Sequence, residues 1–171
     1  MRISLSPQLL IASDFSNFGN VIQTNDAQHF SMNAGKLERY YDLADIEVGT
    51  QSGGRPVISI AECKQITDFP CEIRFLERHP HGSQAIYPLC SQPMMIVVAP
   101  IGESISPKDI RAFYTNGQQG INFHAGVWHA PIMGLTPDEK FIIIDRGGPN
   151  DNCEEFYFNE TDQIMLLATP K

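Results

Sequence analysis

The sequence predicts an all-β protein, folded as a barrel or jelly roll with one short helix near the N-terminus. Short runs rich in valine, isoleucine and aromatic residues recur along the chain, and turn-forming pairs such as Gly53-Gly54 and Asn116-Gly117 separate them. The length of 171 residues suffices for one well-packed core, and the 42% hydrophobic content argues against global disorder. We therefore expect a single domain over residues 1–171.

The predicted helix comes first, because Ser6 is a good N-cap and Pro7 suits the first helical position. It would run to about Phe15 and end near Gly19. The elements that follow are predicted as short strands, at residues 20–23, 37–41, 57–61, 71–79, 84–88, 94–99, 111–114, 120–123, 128–133, 141–145 and 155–158. Short helical turns are expected near residues 106–109 and 161–167.

The predicted strand at 71–79 is the most informative element, because side chains two residues apart share one face of a strand. Its inner face would begin in the core with Ile73 and Phe75. The same face would end with Glu77 and His79, which are ligand-type residues. The opposite face would carry charged side chains, those of Glu72, Arg74 and Arg78. This order predicts a strand that starts in the core and ends in a polar pocket.

Two segments carry metal-ligand residues at a recognisable spacing. Glu77, His79 and Gln84 follow the first cupin motif, His-x-His-x4-Glu, with Glu in the first His place and Gln in the Glu place. Gly126 and His129 match the Gly-x-x-His that ends the second cupin motif. Converging inside a barrel, these donors would bind a divalent metal such as nickel, zinc, manganese or iron. The alternative is a polar network in which Glu77 pairs with an arginine and the histidines hydrogen-bond to it.

Other polar residues are weaker candidates. His124 would be a proton donor at the rim of the pocket, although a structural or solvated role is the better expectation for it, as for His81 and His29. Arg39 and Arg146 are candidates to grip a carboxylate through two parallel hydrogen bonds, although most arginines pair with surface acids.

Charge and cysteine spacing exclude several classes of protein. The net charge of -8 and the absence of a basic stripe argue against nucleic-acid binding. No apolar run approaches the length of a membrane span, and the first residues do not resemble a signal peptide. The four cysteines form no C-x-x-C pair, so we expect reduced thiols in a cytoplasmic protein.

Several segments are distinctive when they are read together. They are Phe18-Gly19-Asn20-Val21-Ile22, Leu37-Glu38-Arg39-Tyr40-Tyr41-Asp42-Leu43, Leu76-Glu77-Arg78-His79-Pro80, Arg111-Ala112-Phe113, Gly120-Ile121-Asn122-Phe123-His124, Val127-Trp128-His129 and Asp145-Arg146-Gly147-Gly148. From about residue 13 to about residue 157, the chain resembles the ureidoglycolate lyase family, formerly called ureidoglycolate hydrolase. One departure is Ala130, which stands where a second histidine is expected.

The resemblance implies a cupin-type β-barrel, a homodimer, and cleavage of (S)-ureidoglycolate to glyoxylate and urea in allantoin catabolism. It also implies a divalent metal, for which nickel is the ion usually proposed. The metal would be held by His79, Gln84, His129 and Glu77. Protons would be carried by Glu77 or His124, and the substrate carboxylate would be neutralised by Arg39 or Arg146.

Two alternatives stay open from the sequence. The first is an amidohydrolase that acts on the same ureido acid and releases ammonia and carbon dioxide. The second is a metal-free cupin that binds an organic acid or a sugar as a regulatory module, a reading favoured by Gln84 at a usual Glu position.

Overall fold

The computed structural model describes residues 2–168, and these form short strands with very little helix. We number the strands β1 to β16 in chain order. One sheet has five strands, in the order β3 (Gly19–Ile22), β12 (Gly120–Phe123), β9 (Gln84–Pro88), β14 (Lys140–Gly147) and β6 (Arg55–Glu62). A second sheet has six strands, in the order β15 (Glu154–Tyr157), β8 (Phe75–Arg78), β13 (Trp128–His129), β10 (Met95–Ala99), β11 (Arg111–Tyr114) and β2 (Gln8–Leu9). The all-β prediction is confirmed, and the layered sheets are consistent with a cupin-like fold.

Two smaller sheets complete the fold. Three strands pair in the order β1 (Arg2–Leu5), β16 (Gln163–Leu166) and β7 (Cys71–Glu72). A separate hairpin joins β4 (His29–Met32) to β5 (Leu37–Tyr40). The helical elements are α1 (Ala12–Phe15) and two 3-10 turns at Thr50–Ser52 and Pro107–Asp109. Within residues 2–168, no helix is both long and apolar enough to cross a membrane.

The six-stranded sheet lies between two hydrophobic clusters, because alternate residues of a strand point to opposite faces. On one face, Val98 packs with Ile86 and Phe123 of the five-stranded sheet. On the other face, Trp128 packs with Ile164 of the three-stranded sheet. His129 is registered opposite Val98 and therefore faces the five-stranded sheet.

Most predicted strands are present, and three of them, 84–88, 111–114 and 120–123, have the predicted bounds. The predicted turn near residues 106–109 is also present, as the 3-10 turn Pro107–Asp109. The predicted strand 128–133 ends at His129, and the predicted strand 71–79 is interrupted between β7 and β8. Because of this interruption, the side chain of Ile73 packs in the hydrophobic cluster that contains Trp128. The prediction that Ile73 and Glu77 share one face of a strand is therefore wrong.

The predicted N-terminal helix is wrong in its extent. Gln8 and Leu9 form a parallel strand that pairs with Phe113 and Tyr114, and only Ala12–Phe15 is helical. The strand pairing satisfies backbone groups and outweighs the local capping signal of Ser6-Pro7.

The predicted helical turn at 161–167 is also wrong. Gln163–Leu166 is a strand between β1 and β7, and its buried residues Ile164 and Leu166 alternate with more exposed ones. This alternation has the period of a half-buried strand, so burial at every second residue decided the structure.

Candidate metal centre

A carboxylate and two imidazoles meet at one end of the space between the five- and six-stranded sheets. Glu77 lies on β8 and His129 lies on β13, where the two residues are direct cross-strand partners. His79 follows β8 in the loop that crosses to β9 of the other sheet. One ligand atom from each of the three residues lies within 4.8 Å of the others. The sequence motifs therefore converge as predicted.

His129 is the most deeply buried member, with 2% of its surface exposed. Its ring stacks on Phe123, with ring centroids 4.2 Å apart. Its Nδ1 lies 3.0 Å from the carbonyl oxygen of Val127, which fixes the proton on Nδ1 and leaves the Nε2 lone pair free. Nε2 has no hydrogen-bond partner among the described residues, and it lies 3.8 Å from Oε1 of Glu77.

The surroundings of His129 keep it neutral. Burial lowers the pKa of its imidazole to about 3, with a further lowering from the nearby charge of His79. A buried neutral imidazole with an unshared electron pair is a suitable metal ligand at neutral pH.

His79 is held in the same way. Its Nδ1 lies 2.6 Å from the carbonyl oxygen of Asn152, and its Nε2 lies 3.0 Å from the amide nitrogen of Gln84. The backbone amide of Gly126 donates to the carbonyl oxygen of His79 at 2.9 Å, which ties this loop to the turn before β13. Backbone carbonyls that orient two imidazoles in this manner are common outer partners of metal-binding histidines.

Glu77 lies between the histidines and the protein surface. Burial raises the pKa of its carboxyl above the ordinary value, while the charge of His79 and a hydrogen bond from Cys153 act in the opposite direction. The alternative network in which Glu77 pairs with an arginine is not found among residues 2–168. Arg78 instead pairs with Glu154 at 2.6 Å and lies over the ring of Trp128 on the other face of the sheet.

Gln84 borders the cluster from the five-stranded sheet. Its amide nitrogen lies 3.0 Å from Nε2 of His79 and 3.4 Å from Oδ2 of Asp145. Asp145 is inward-facing because its strand neighbour Ile143 is registered opposite the buried Ile86. A second carboxylate therefore lies behind Gln84.

The donor set fits a divalent metal. Two imidazoles and a carboxylate give mixed nitrogen and oxygen ligands, which suit borderline metals such as nickel, zinc or iron. The buried, unpartnered Nε2 of His129 supports this assignment, because an unsatisfied buried nitrogen costs about 1–3 kcal/mol unless it binds something.

The other predicted site residues lie around the cluster rather than in it. His124 is half-buried in the turn before β13, where its carbonyl oxygen accepts from the amide of Val127. Arg146 follows Asp145 on β14 and therefore points to the opposite face of the sheet. Arg39 is exposed on the β4–β5 hairpin, with its guanidinium near the rings of Phe30 and Tyr41.

Arg146 supports the loop that carries the motif. Its guanidinium donates to the carbonyl oxygens of Pro149 and Ser52, at 2.9 and 3.5 Å, and its Nε is buried without a partner among the described residues. A Cβ atom at Gly82 would lie 2.9 Å from Cβ of Arg146 and 2.8 Å from the carbonyl oxygen of Glu47. The loop between His79 and Gln84 can therefore pack this closely against Arg146 and Glu47 only with glycine at position 82.

The structure adds four residues that sequence reasoning did not assign to the site: Phe123, Asp145, Asn152 and Cys153. Phe123 was detectable, because alternation in the predicted strand 120–123 limits it to one of two faces. The other three arrive through contacts between residues more than 60 positions apart in the chain.

Comparisons with known proteins identify the family of this chain. The model of the family described as ureidoglycolate lyase matches residues 2–165. The ureidoglycolate lyase of Pseudomonas paraeruginosa is 41% identical over 163 residues, covering 95% of each chain. The ureidoglycolate lyase of Azotobacter vinelandii is 42% identical over 166 residues, covering 97% of this chain and 98% of its own. With a family match over nearly its whole length and relatives of this similarity, this chain belongs to the ureidoglycolate lyase family.

Proposed function

We propose that this chain is a carbon–nitrogen lyase that cleaves (S)-ureidoglycolate to glyoxylate and urea during purine degradation. The family match and the names of the relatives support the reaction. The single structural observation that carries the proposal is the buried Nε2 of His129, which lies unpartnered beside the Glu77 carboxylate. Such a group is costly to keep unless it serves a ligand.

The reaction needs one proton to move between two substrate atoms. Ureidoglycolate is a carbinolamine, in which one carbon bears a hydroxyl, a carboxylate and the ureido nitrogen. Loss of the hydroxyl proton lets the oxygen form the carbonyl of glyoxylate while the carbon–nitrogen bond breaks. The departing nitrogen takes the bond's electron pair and a proton to become urea, so no water is consumed.

Glu77 is the proposed proton carrier. Its carboxylate borders the cluster, with Oε1 lying 3.8 Å from Nε2 of His129, and there it would accept the hydroxyl proton and return it to nitrogen. A divalent metal held by Glu77, His79, His129 and the Gln84 amide would supply a Lewis acid that acidifies the substrate hydroxyl. We propose nickel as the ion, because the donor set suits it and the family is associated with it.

His124 and Arg146 take different roles in this proposal. His124 lies in the turn that contacts the His79 loop through Gly126, and it is the alternative donor of the proton that the departing nitrogen takes up. Arg146 backs Gly82 and would be a positioning residue that also places positive charge behind the loop, toward a bound carboxylate.

The guanidinium of Arg39 lies near the rings of Phe30 and Tyr41 rather than in the cluster of its own chain. Tyr40, its neighbour, borders a groove with Gln119, which precedes β12, whereas the stacking partner of His129, Phe123, ends β12. The hairpin that bears Arg39 therefore leaves the barrel at the opposite end of β12. If Arg39 binds substrate, it does so in a neighbouring subunit.

We propose a homodimer, in agreement with the resemblance, in a cytoplasmic protein. The outer face of the five-stranded sheet supports self-association, because Ile58 and Ile60 are 75% and 64% exposed there. Mixing Arg39→Ala with His129→Ala subunits tests both ideas. If Arg39 acts across the dimer, half of the dimers contain one intact site, so about a quarter of wild-type activity returns. No recovery in verified mixed dimers would place Arg39 in the site of its own subunit, whereas wild-type activity of Arg39→Ala alone would place it outside any site.

Product analysis tests the reaction itself. Purified protein, free of urease, would produce glyoxylate and urea in equal amounts from ureidoglycolate. Ammonia without urea would instead identify an amidohydrolase. Saturable binding without turnover would identify an organic-acid-binding module. The relatives favour neither of these alternatives.

A further inference from the structure

A thiol stands on the outer side of the cluster. Strand β15 pairs with β8, with Glu154 opposite Arg78 and Glu155 opposite Glu77. Continuing this register by one residue places Cys153 opposite His79. Cross-strand partners project from the same face, so Cys153 belongs to the face that carries the cluster.

The distances agree with the register. Sγ of Cys153 lies 3.8 Å from Oε2 of Glu77. The other oxygen of the same carboxylate, Oε1, lies 3.8 Å from Nε2 of His129. The Glu77 carboxylate therefore sits between a free thiol and a buried imidazole nitrogen that has no partner among the described residues.

The segment that carries Cys153 is tied to the loop of His79. Asn152 accepts from Nδ1 of His79 through its backbone carbonyl oxygen, at 2.6 Å. Its side-chain oxygen accepts from the backbone amide of His81, at 2.8 Å. Two hydrogen bonds on the adjacent residue thus fix the backbone of this segment beside the His79 loop, while the side chain of Cys153 itself is exposed.

We propose that Cys153 is a sulfur ligand of the metal centre formed with Glu77, His79 and His129. This inference rests on the metal assigned in the proposed function, but not on the lyase reaction. Binding would form a metal–sulfur bond and release the thiol proton to solvent. A donor set of two nitrogens, one oxygen and one sulfur favours nickel, zinc or cobalt over magnesium and manganese, which prefer oxygen ligands.

The other three cysteines do not contact Glu77, His79 or His129 in the part of the chain that the structure describes. Sγ of Cys63 contacts the carbonyl oxygen of Gln65, and Cys71 packs against the cluster of Trp128. Sγ of Cys90 lies 3.5 Å from a carboxylate oxygen of Glu139, away from the histidines. Cys90→Ser is therefore a matched control that removes a thiol near a carboxylate but not near the centre.

Cobalt(II) is the probe that tests the proposal. Cobalt-loaded wild-type protein and Cys90→Ser should show visible ligand-field bands and a near-ultraviolet thiolate-to-cobalt charge-transfer band. Cys153→Ser should keep the visible bands and lose the charge-transfer band. Circular dichroism and the melting temperature would check its fold, which should be intact because Cys153 is exposed.

Selectivity gives a second measurement. The Kd for nickel, measured by chelator competition, should rise about tenfold or more in Cys153→Ser, with little change in the Kd for manganese. A charge-transfer band that survives in Cys153→Ser would overturn the proposal. So would wild-type protein that binds cobalt without that band. Failure to bind cobalt at all would overturn the metal centre as well, while the glyoxylate and urea assay would still report separately on the lyase reaction.

Discussion

On one face of the six-stranded sheet the buried polar groups have hydrogen-bond or ion-pair partners, whereas on the other face a buried nitrogen has none among the described residues. The two side chains that show this difference, those of Trp128 and His129, are adjacent in the chain. On the face toward the three-stranded sheet, Arg78 pairs with Glu154, donates to the carbonyl oxygen of Gly102 and covers the ring of Trp128. Trp128 also donates from Nε1 to Gly102. On the face toward the five-stranded sheet, His129 keeps a buried nitrogen without a partner among the described residues.

This difference indicates that the face with Trp128 serves the stability of the fold and that the face with His129 serves the site. A satisfied polar network stabilises one arrangement of the chain, whereas an unsatisfied buried group persists only when another selective pressure retains it. Trp128 and His129 are adjacent in sequence and almost equally buried, so the comparison isolates the effect of the face.

The largest expected effect is on catalysis, from His129→Ala. Loss of a metal-binding imidazole should lower kcat/KM by at least about 100-fold, since changes even to outer partners of metal ligands cost 10- to 100-fold. Steady-state kinetics with a glyoxylate readout would measure it, and circular dichroism would verify the fold. Wild-type kcat/KM in a folded variant would remove His129 from the site.

Substitution of the neighbouring Trp128 should lower stability and leave catalysis almost unchanged. Trp128→Ala removes a large buried side chain and should reduce the free energy of unfolding by about 3–5 kcal/mol. At a temperature where the variant is folded, its kcat/KM should change little. If Trp128→Ala does not fold, Trp128→Phe tests the same point with a smaller loss, measured by urea denaturation. A catalytic defect without loss of stability would contradict the assignment of this face to the scaffold.

The free energy of unfolding should depend on pH through His129, on the face of the sheet that bears the site. Because the pKa of His129 is lowered to about 3 in the folded protein, its neutral form favours folding above pH 6.5. That contribution is lost as the pH falls from 6.5 toward 3, by at most about 1.4 kcal/mol per pH unit. Urea midpoints of chelator-treated wild type and His129→Phe, compared from pH 7.5 to 4, would measure the difference.

A control histidine makes this test specific. His81 is exposed, so His81→Gln should follow the wild-type pH dependence. If His129→Phe and wild type lose stability in parallel below pH 6.5, His129 is not held neutral by burial.

The smallest expected effect comes from the surface pair on the scaffold face. Glu154→Gln weakens an ion pair in which the Glu154 side chain is 50% exposed, and it should cost less than about 1 kcal/mol. Activity should be unchanged, because Arg78 keeps its contacts with Trp128 and Gly102. A large loss of activity would show that the two faces are coupled.

Local pattern determined much of the fold and the centre of the site. The strands at 84–88, 111–114 and 120–123 were predictable because alternation and turn residues act over a few positions. The same alternation placed Glu77 and His79 on one face, and the spacing of two motifs predicted that His129 would join them. The structure brings these three together.

Only the tertiary structure decided the rest, because it depends on pairings between distant segments. Parallel pairing with β11 made Gln8 and Leu9 a strand, against a local helix signal. Register and loop contacts brought Asp145 and Cys153 beside the cluster, placed Arg146 on the opposite face of its sheet and left Arg39 on a separate hairpin. Since one residue of register exchanges the two faces of a strand, sequence spacing alone does not fix which distant side chains meet.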